Sequence, residues 1–380
     1  MAKNRKIFED VATETREAPK AVPQRRDETK AKNRHQIAIW LMSLFVLVAA
    51  MIVVGGLTRL SDAGLSITEW KPVTGAIPPM SAADWDSEFA LYQQIPQFSE
   101  MNPNMTLAEF KTIYWWEWGH RFLGRIVGLV WGVGFLYFLL AKKIPTGWTG
   151  RLLSLGILGG LQGVIGWWMV SSGLAGSERV SVASTRLATH LGLAFLIMSL
   201  IIWWVLRLGR SEAQLIQARR DRDKGLWGGA TGLLHLAAFQ IILGALVAGI
   251  DAGRNYTDWP MMGGTFVPYN FWDPALGWQN LIENPAPVQF FHRMVGYLLV
   301  ILGAFMWWKA RKAPIAAMRS AFALVAIMML FQVALGIVTL LYAAPLNLAI
   351  LHQTGAILLI VLILNARFTA GYPPAQSIRG

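Results

Sequence analysis

The sequence predicts an all-α polytopic membrane protein, with eight transmembrane helices arranged as two tandem, parallel-repeat four-helix bundles. Of 380 residues, 54% are hydrophobic and only 15% charged, with mean hydropathy +0.43. Those values lie outside ordinary soluble domains. Eight apolar stretches are each long enough to cross a ~30 Å hydrocarbon core, which takes about 20 helical residues. Motifs of the first half return in the same order in the second, at a period of about 170 residues, too long for a solenoid and natural for a duplicated bundle.

Taken in order, residues 1–36 form a polar tail that mixes Glu9, Asp10, Glu14, Glu17, Asp27 and Glu28 with its cations. A transit peptide is Arg-rich and poor in acids, so a cytoplasmic tail is expected. The apolar stretches fall near 37–57, 114–140, 152–171, 185–206, 228–250, 288–308, 320–342 and 347–366. The second is long enough to tilt or to project from the membrane. The last two are joined by a few residues around Pro345 and must be antiparallel neighbours. The chain thus divides into an N-terminal bundle (37–206) with an outer cap (58–113), a linker (207–227), a C-terminal bundle (228–366) and a tail (367–380). Within the cap, Ser81-Ala82-Ala83-Asp84 and Thr106-Leu107-Ala108-Glu109 resemble capping boxes that open helices. Pro78, Pro79, Pro96 and Pro103 separate its pieces.

Charge gives the orientation. Of the 34 Lys and Arg residues, 25 lie in the two tails and the connections 141–151, 207–224 and 309–319, and six lie in the opposite connections. Both termini are therefore expected in the cytoplasm. The net charge of +12 is a topology signal and not a nucleic-acid footprint. The chain has no cysteine, which excludes disulfides, iron–sulfur clusters and thioether-linked haem. A metal must be held by histidine, carboxylate or methionine.

The repeat carries the chemistry. Asp62-Ala63-Gly64 followed by Thr68-Glu69-Trp70 returns as Asp251-Ala252-Gly253 followed by Thr257-Asp258-Trp259. These segments follow the first span of each half and are expected to fold back as lids. Gln162 and Gly166 match Gln332 and Gly336, and the third-span glycines suit close helix packing. The His-Arg-x-x-Gly pattern occurs at His120 and again at His292, and later spans open with His190 and His352. At 1.5 Å per residue all four histidines lie at one level, ~8 Å below the outer surface. Two imidazoles facing each other within each bundle can ligate the iron of a haem from both sides. Arg121, Arg125 and Arg293 are candidate propionate contacts, with snorkelling to the headgroups as the alternative. Glu117 shares a helix face with His120, whereas its repeat mate is Gln289, the one difference inside an otherwise repeated site. A carboxylate there is placed to take up protons. His35 reads as a solvated interfacial residue. His235, whose mate is Val46, reads as a packing or propionate contact.

Together the paired Glu-x-x-His-Arg and His-Arg-x-x-Gly helices, Gly55-Gly56-Leu57-Thr58-Arg59-Leu60, and Leu65-Ser66-Ile67-Thr68-Glu69-Trp70-Lys71-Pro72 resemble the haem A synthase family, in its alphaproteobacterial and mitochondrial branch. The resemblance spans roughly residues 37–370. It implies oxidation of the C8 methyl of haem O to a formyl group, giving haem A for cytochrome oxidase. It further implies a resident haem b on His292 and His352, haem O between His120 and His190, and Glu117 as the catalytic residue. Expected partners are haem O itself, the haem O synthase, cytochrome oxidase assembly factors, an unidentified electron-transfer partner and the lipid bilayer, with a homo-oligomer compatible and no nucleic acid. Two other classes compete. A di-haem cytochrome b that only carries electrons needs the same histidines but not Glu117, and a metal-free repeat transporter needs broken helices that the sequence does not show.

Overall fold

The structure is a computed structural model and describes residues 22–174 and 176–374; residues 1–21 and 375–380, parts of the two expected tails, lie outside the described residues. Twelve α-helices follow in order: α1 (Val22–Leu60), α2 (Ala82–Tyr92), α3 (Pro96–Met101), α4 (Leu107–Leu140), α5 (Thr149–Val170), α6 (Ser184–Leu208), α7 (Glu212–Ala218), α8 (Lys224–Gly249), α9 (Asn280–Glu283), α10 (Pro285–Ala310), α11 (Ala316–Leu341) and α12 (Leu346–Gly371). Eight of them are long and apolar enough to span a membrane, and each contains one of the expected stretches. An even number of crossings returns both ends of the chain to the same side.

The long helices overrun their apolar stretches at identifiable signals. α1 starts at Val22, well before the apolar run, because residues 27–36 are good helix formers with no breaker. α12 continues to Gly371, so Arg367 belongs to the helix, where its guanidinium stacks on Trp203 and Trp227. α4 projects outward by about two turns. Its start is fixed by a capping box in which Thr106 accepts from the Glu109 backbone N–H and Glu109 from that of Thr106. The second expected box, Ser81 with Asp84, opens α2. Pro96 marks the boundary between α2 and α3 as expected and opens α3, at the first-turn position where its missing N–H costs nothing.

Helix packing closes two rings. α1, α4, α5 and α6 pack in sequence and back to α1; α8, α10, α11 and α12 do the same. The halves meet through α6 on α8, α1 on α12 and α6 on α12. The first two contacts exchange equivalent helices, an arrangement compatible with parallel tandem bundles about an axis along the membrane normal. One hydrophobic core runs through both halves, including Trp40, Phe135 and Met198 on one side and Phe322, Met329 and Ile363 on the other. The cap has a separate core, in which Leu65, Ile67, Tyr92, Ile95 and Phe110 pack on Tyr114, Val170 and Val182.

A clasp joins the two halves at the outer face. Arg59, at the end of α1, donates to Asp62 Oδ1 (3.1 Å), to Asp251 Oδ2 (3.0 Å) and to the Gly249 carbonyl that ends α8 (3.2 Å). Asp62 and Asp251, repeat mates, both adopt left-handed backbone (φ 50° and 52°), which Asp tolerates better than most residues. Burial raises the Asp62 carboxyl above its ordinary value; Arg59 pulls it down and Asp251 pushes it up. Arg59→Ala removes the cation between two carboxylates. Because both acids are about half exposed, we expect a loss of about 1–2 kcal/mol, read as a lower thermal midpoint. Adding Asp251→Asn should recover part of it.

Candidate functional site

His120 on α4, His190 on α6, His292 on α10 and His352 on α12 all lie near the outer ends of their spans and are half-buried. Each imidazole sits against a glycine of the preceding long helix. A Cβ on Gly55 of α1 would lie 3.0 Å from His120 Nε2, and one on Gly166 of α5 2.9 Å from His190 Cε1. Cβ atoms on Gly244 of α8 and Gly336 of α11 would each lie 3.1 Å from Cε1 of His292 and His352. Any larger residue would occupy the space of the ring.

In the C-terminal bundle the rings of His292 and His352 face each other with centroids 6.4 Å apart and planes at 78°. One metal held axially by two imidazoles, at about 2.0 Å per metal–nitrogen bond, sets ring centres about 6 Å apart. Nδ1 of both residues is buried without a hydrogen-bond partner. In the N-terminal bundle His120 and His190 lie within electrostatic reach of one another. Among the described residues no three His, Asp or Glu side chains cluster as ligands for a bare ion. A pair of imidazoles per bundle fits a haem, which brings its own four equatorial nitrogens.

Glutamines brace the histidines. Gln162 Nε2 donates to the His190 carbonyl (3.0 Å) and lies 3.2 Å from its Nδ1. Gln332 Nε2 donates to the His352 carbonyl (3.1 Å), and Gln240 Nε2 to that of His292 (2.9 Å), lying 3.4 Å from its Nε2.

The arginines and Glu117 hold the lids. Arg121 donates to the carbonyls of Ile67 (2.8 Å) and Glu69 (3.0 Å), and Arg293 to those of their mates Tyr256 (3.0 Å) and Asp258 (3.1 Å). Glu117, only 2% exposed, accepts from Ser66 Oγ (2.8 Å), the Ile67 N–H (2.9 Å) and Arg121. Gln289 meets the same lid position with the opposite polarity, donating to the Tyr256 carbonyl (3.1 Å). Arg125 holds the carbonyls of Lys71 and Pro72 (both 2.8 Å). The guanidinium donors expected at propionates are thus mostly spent on loop carbonyls; Arg125 Nη1 and Arg293 Nε remain buried without a partner. His235 is exposed on α8 and bonds the Thr231 carbonyl of its own helix (2.8 Å). His35 is exposed on α1.

A family model described as cytochrome oxidase assembly protein matches residues 38–364. The chain belongs to that family. It is 60% identical over 347 residues to the "Heme A synthase" of Paracoccus denitrificans, covering 91% of each chain. To the proteins of the same name from Dinoroseobacter shibae and Ruegeria pomeroyi it is 57% identical over 381 residues, covering all of this chain and 99–100% of theirs.

In this member of the assembly family, Glu117/Gln289 is not the only difference between the two sites. The mate of Gln240 is Met51, and that of Arg125 is Tyr297, whose hydroxyl accepts from Trp259 Nε1 (2.7 Å). The glycine seats Gly55 and Gly244 were missed as well, although pairing the first helix of each half residue by residue would have revealed them. Gly244→Ala and Gly336→Ala should each lower the haem bound per chain severalfold, read from the absorbance of the purified protein. Alanine also adds up to about 1 kcal/mol of helix propensity, so the helices themselves should melt no earlier than in the parent.

Proposed function

We propose that this protein is a haem A synthase that oxidises the C8 methyl of haem O to a formyl group. The reading is carried by two histidine pairs of the same construction, one in each bundle, with a buried carboxylate beside only the first. The names of relatives that match nearly the whole chain agree with it. Written with one water as the source of the oxygen atom, converting methyl to formyl (R–CH3 + H2O → R–CHO) releases four electrons and four protons, two of them from the water, so the site must export both charges.

On this reading His292 and His352 hold a resident haem b, which supplies one-electron transfer, and His120 and His190 hold haem O. Gln240 and Gln332 keep the first pair fixed from the neighbouring helices. Glu117, one turn from His120, is the proton acceptor. The Ser66 hydroxyl, the Ile67 N–H and Arg121 hold its carboxylate and close the lid at the same time. Excess basic charge on one side supports cytoplasmic termini in a bacterial inner membrane, with the two sites toward its outer leaflet. A prenyl-transferring haem O synthase is the natural supplier and cytochrome oxidase assembly the natural consumer, with a separate electron-transfer partner to take the electrons.

The test is to express the chain in cells that make haem O but no haem A and to separate the extracted haems by chromatography. Haem A should appear. Glu117→Gln should lower it by about 10²–10⁴-fold, the usual worth of a positioned acid or base, with haem b retained. Because Gln289 shows an amide holding the lid in the second half, that variant separates proton transfer from lid closure. Full activity in Glu117→Gln would remove the carboxylate from the mechanism. Two bound haems without any haem A would leave an electron-carrying cytochrome b.

A further inference from the structure

Three of the four histidines are braced by a glutamine of the adjoining helix, and the fourth is not. Gln162, Gln240 and Gln332 each donate to the backbone carbonyl of His190, His292 or His352. At His120 the equivalent position is Met51. Both side chains fill the same kind of space: Met51 Cε would lie 3.6 Å from a Cβ on Gly124, and Gln240 Nε2 3.3 Å from one on its mate Gly296. A thioether has no hydrogen to donate, and among the described residues the His120 side chain makes no hydrogen bond.

α4, which carries His120, packs on α5 less extensively than α10 packs on α11. The α4–α5 contact is closed about three turns from His120, where Trp131 fills the space beside Gly156 and donates to the Leu152 carbonyl (3.1 Å).

We propose that His120 is the axial ligand that closes last and opens first when haem O enters and haem A leaves, while His190 stays fixed. The inference rests on the N-terminal pocket being the substrate site. A resident haem must stay through every turnover, whereas a substrate haem must be exchanged in each one. Unequal bracing of the two ligands in one pocket, and equal bracing in the other, meets both demands. The step breaks one iron–nitrogen bond; the lone pair stays on a neutral imidazole, and no proton or electron moves. Met51 and Gln240 are then positioning residues that set how long each pocket keeps its haem.

The experiment uses the full-length protein in lipid nanodiscs, loaded with haem O, with haem b content as the control for folding. His120→Ala should keep haem O as a five-coordinate species that binds carbon monoxide when reduced, and His190→Ala should lose it. Met51→Gln should slow transfer of haem O to excess apomyoglobin by roughly threefold to tenfold, the worth of one hydrogen bond. Gln240→Met should speed loss of haem b by a similar factor. Retention in His190→Ala with loss in His120→Ala, equal behaviour of the two, or an unchanged transfer rate in Met51→Gln would overturn the inference. A parent protein that holds haem b yet takes up no haem O would instead remove the substrate-site reading, and the inference with it.

Discussion

Imidazoles can meet inside a bundle this tightly packed only where an adjoining helix gives up its side chain. Gly55, Gly166, Gly244 and Gly336 meet that condition at the four histidines, each leaving the space a Cβ would take beside a ring. Glycine inside a helix costs up to about 1 kcal/mol relative to alanine, a loss that the packing of eight long helices tolerates. Everything else at that end follows from keeping those four rings in place: glutamines brace three of the four histidines from the side, and arginines hold the loops that follow the first helix of each half. A polar group at this depth is costly unless protein satisfies it; Glu117 and the loop carbonyls are so satisfied, whereas Nδ1 of His292 and His352, Arg125 Nη1 and Arg293 Nε have no protein partner.

The two halves share a plan and differ in its details. Arg121 and Arg293 hold mate carbonyls of the two lids in the same way. Glu117 and Gln289 meet the same stretch of lid with opposite hydrogen-bond polarity. The halves therefore kept one lid-holding device while its chemistry changed in one of them. Met51 against Gln240, and Arg125 against Tyr297, show that divergence reached the walls of the pockets as well as the acid.

Much of this was legible in the sequence because hydropathy reports directly on the bilayer. The eight spans, the histidines at the outer ends and the two capping boxes depend on local pattern alone. What was not legible depends on where long side chains reach. Arg121 and Arg293 follow their histidines in sequence, and nothing local distinguishes a guanidinium aimed at a propionate from one aimed at a loop carbonyl. The exchange of Gln240 for Met51 stayed hidden because loops of different length shift the register between halves from one helix to the next.

α1 belongs to both halves at once. One side of it offers Gly55 to His120; another offers Gly56 and the Ile52 carbonyl to Gln353, the residue that follows His352, with a hydrogen bond of 2.6 Å. A displacement of α1 would therefore be felt at His120 and beside His352 together, carried by one rigid rod about 10 Å across.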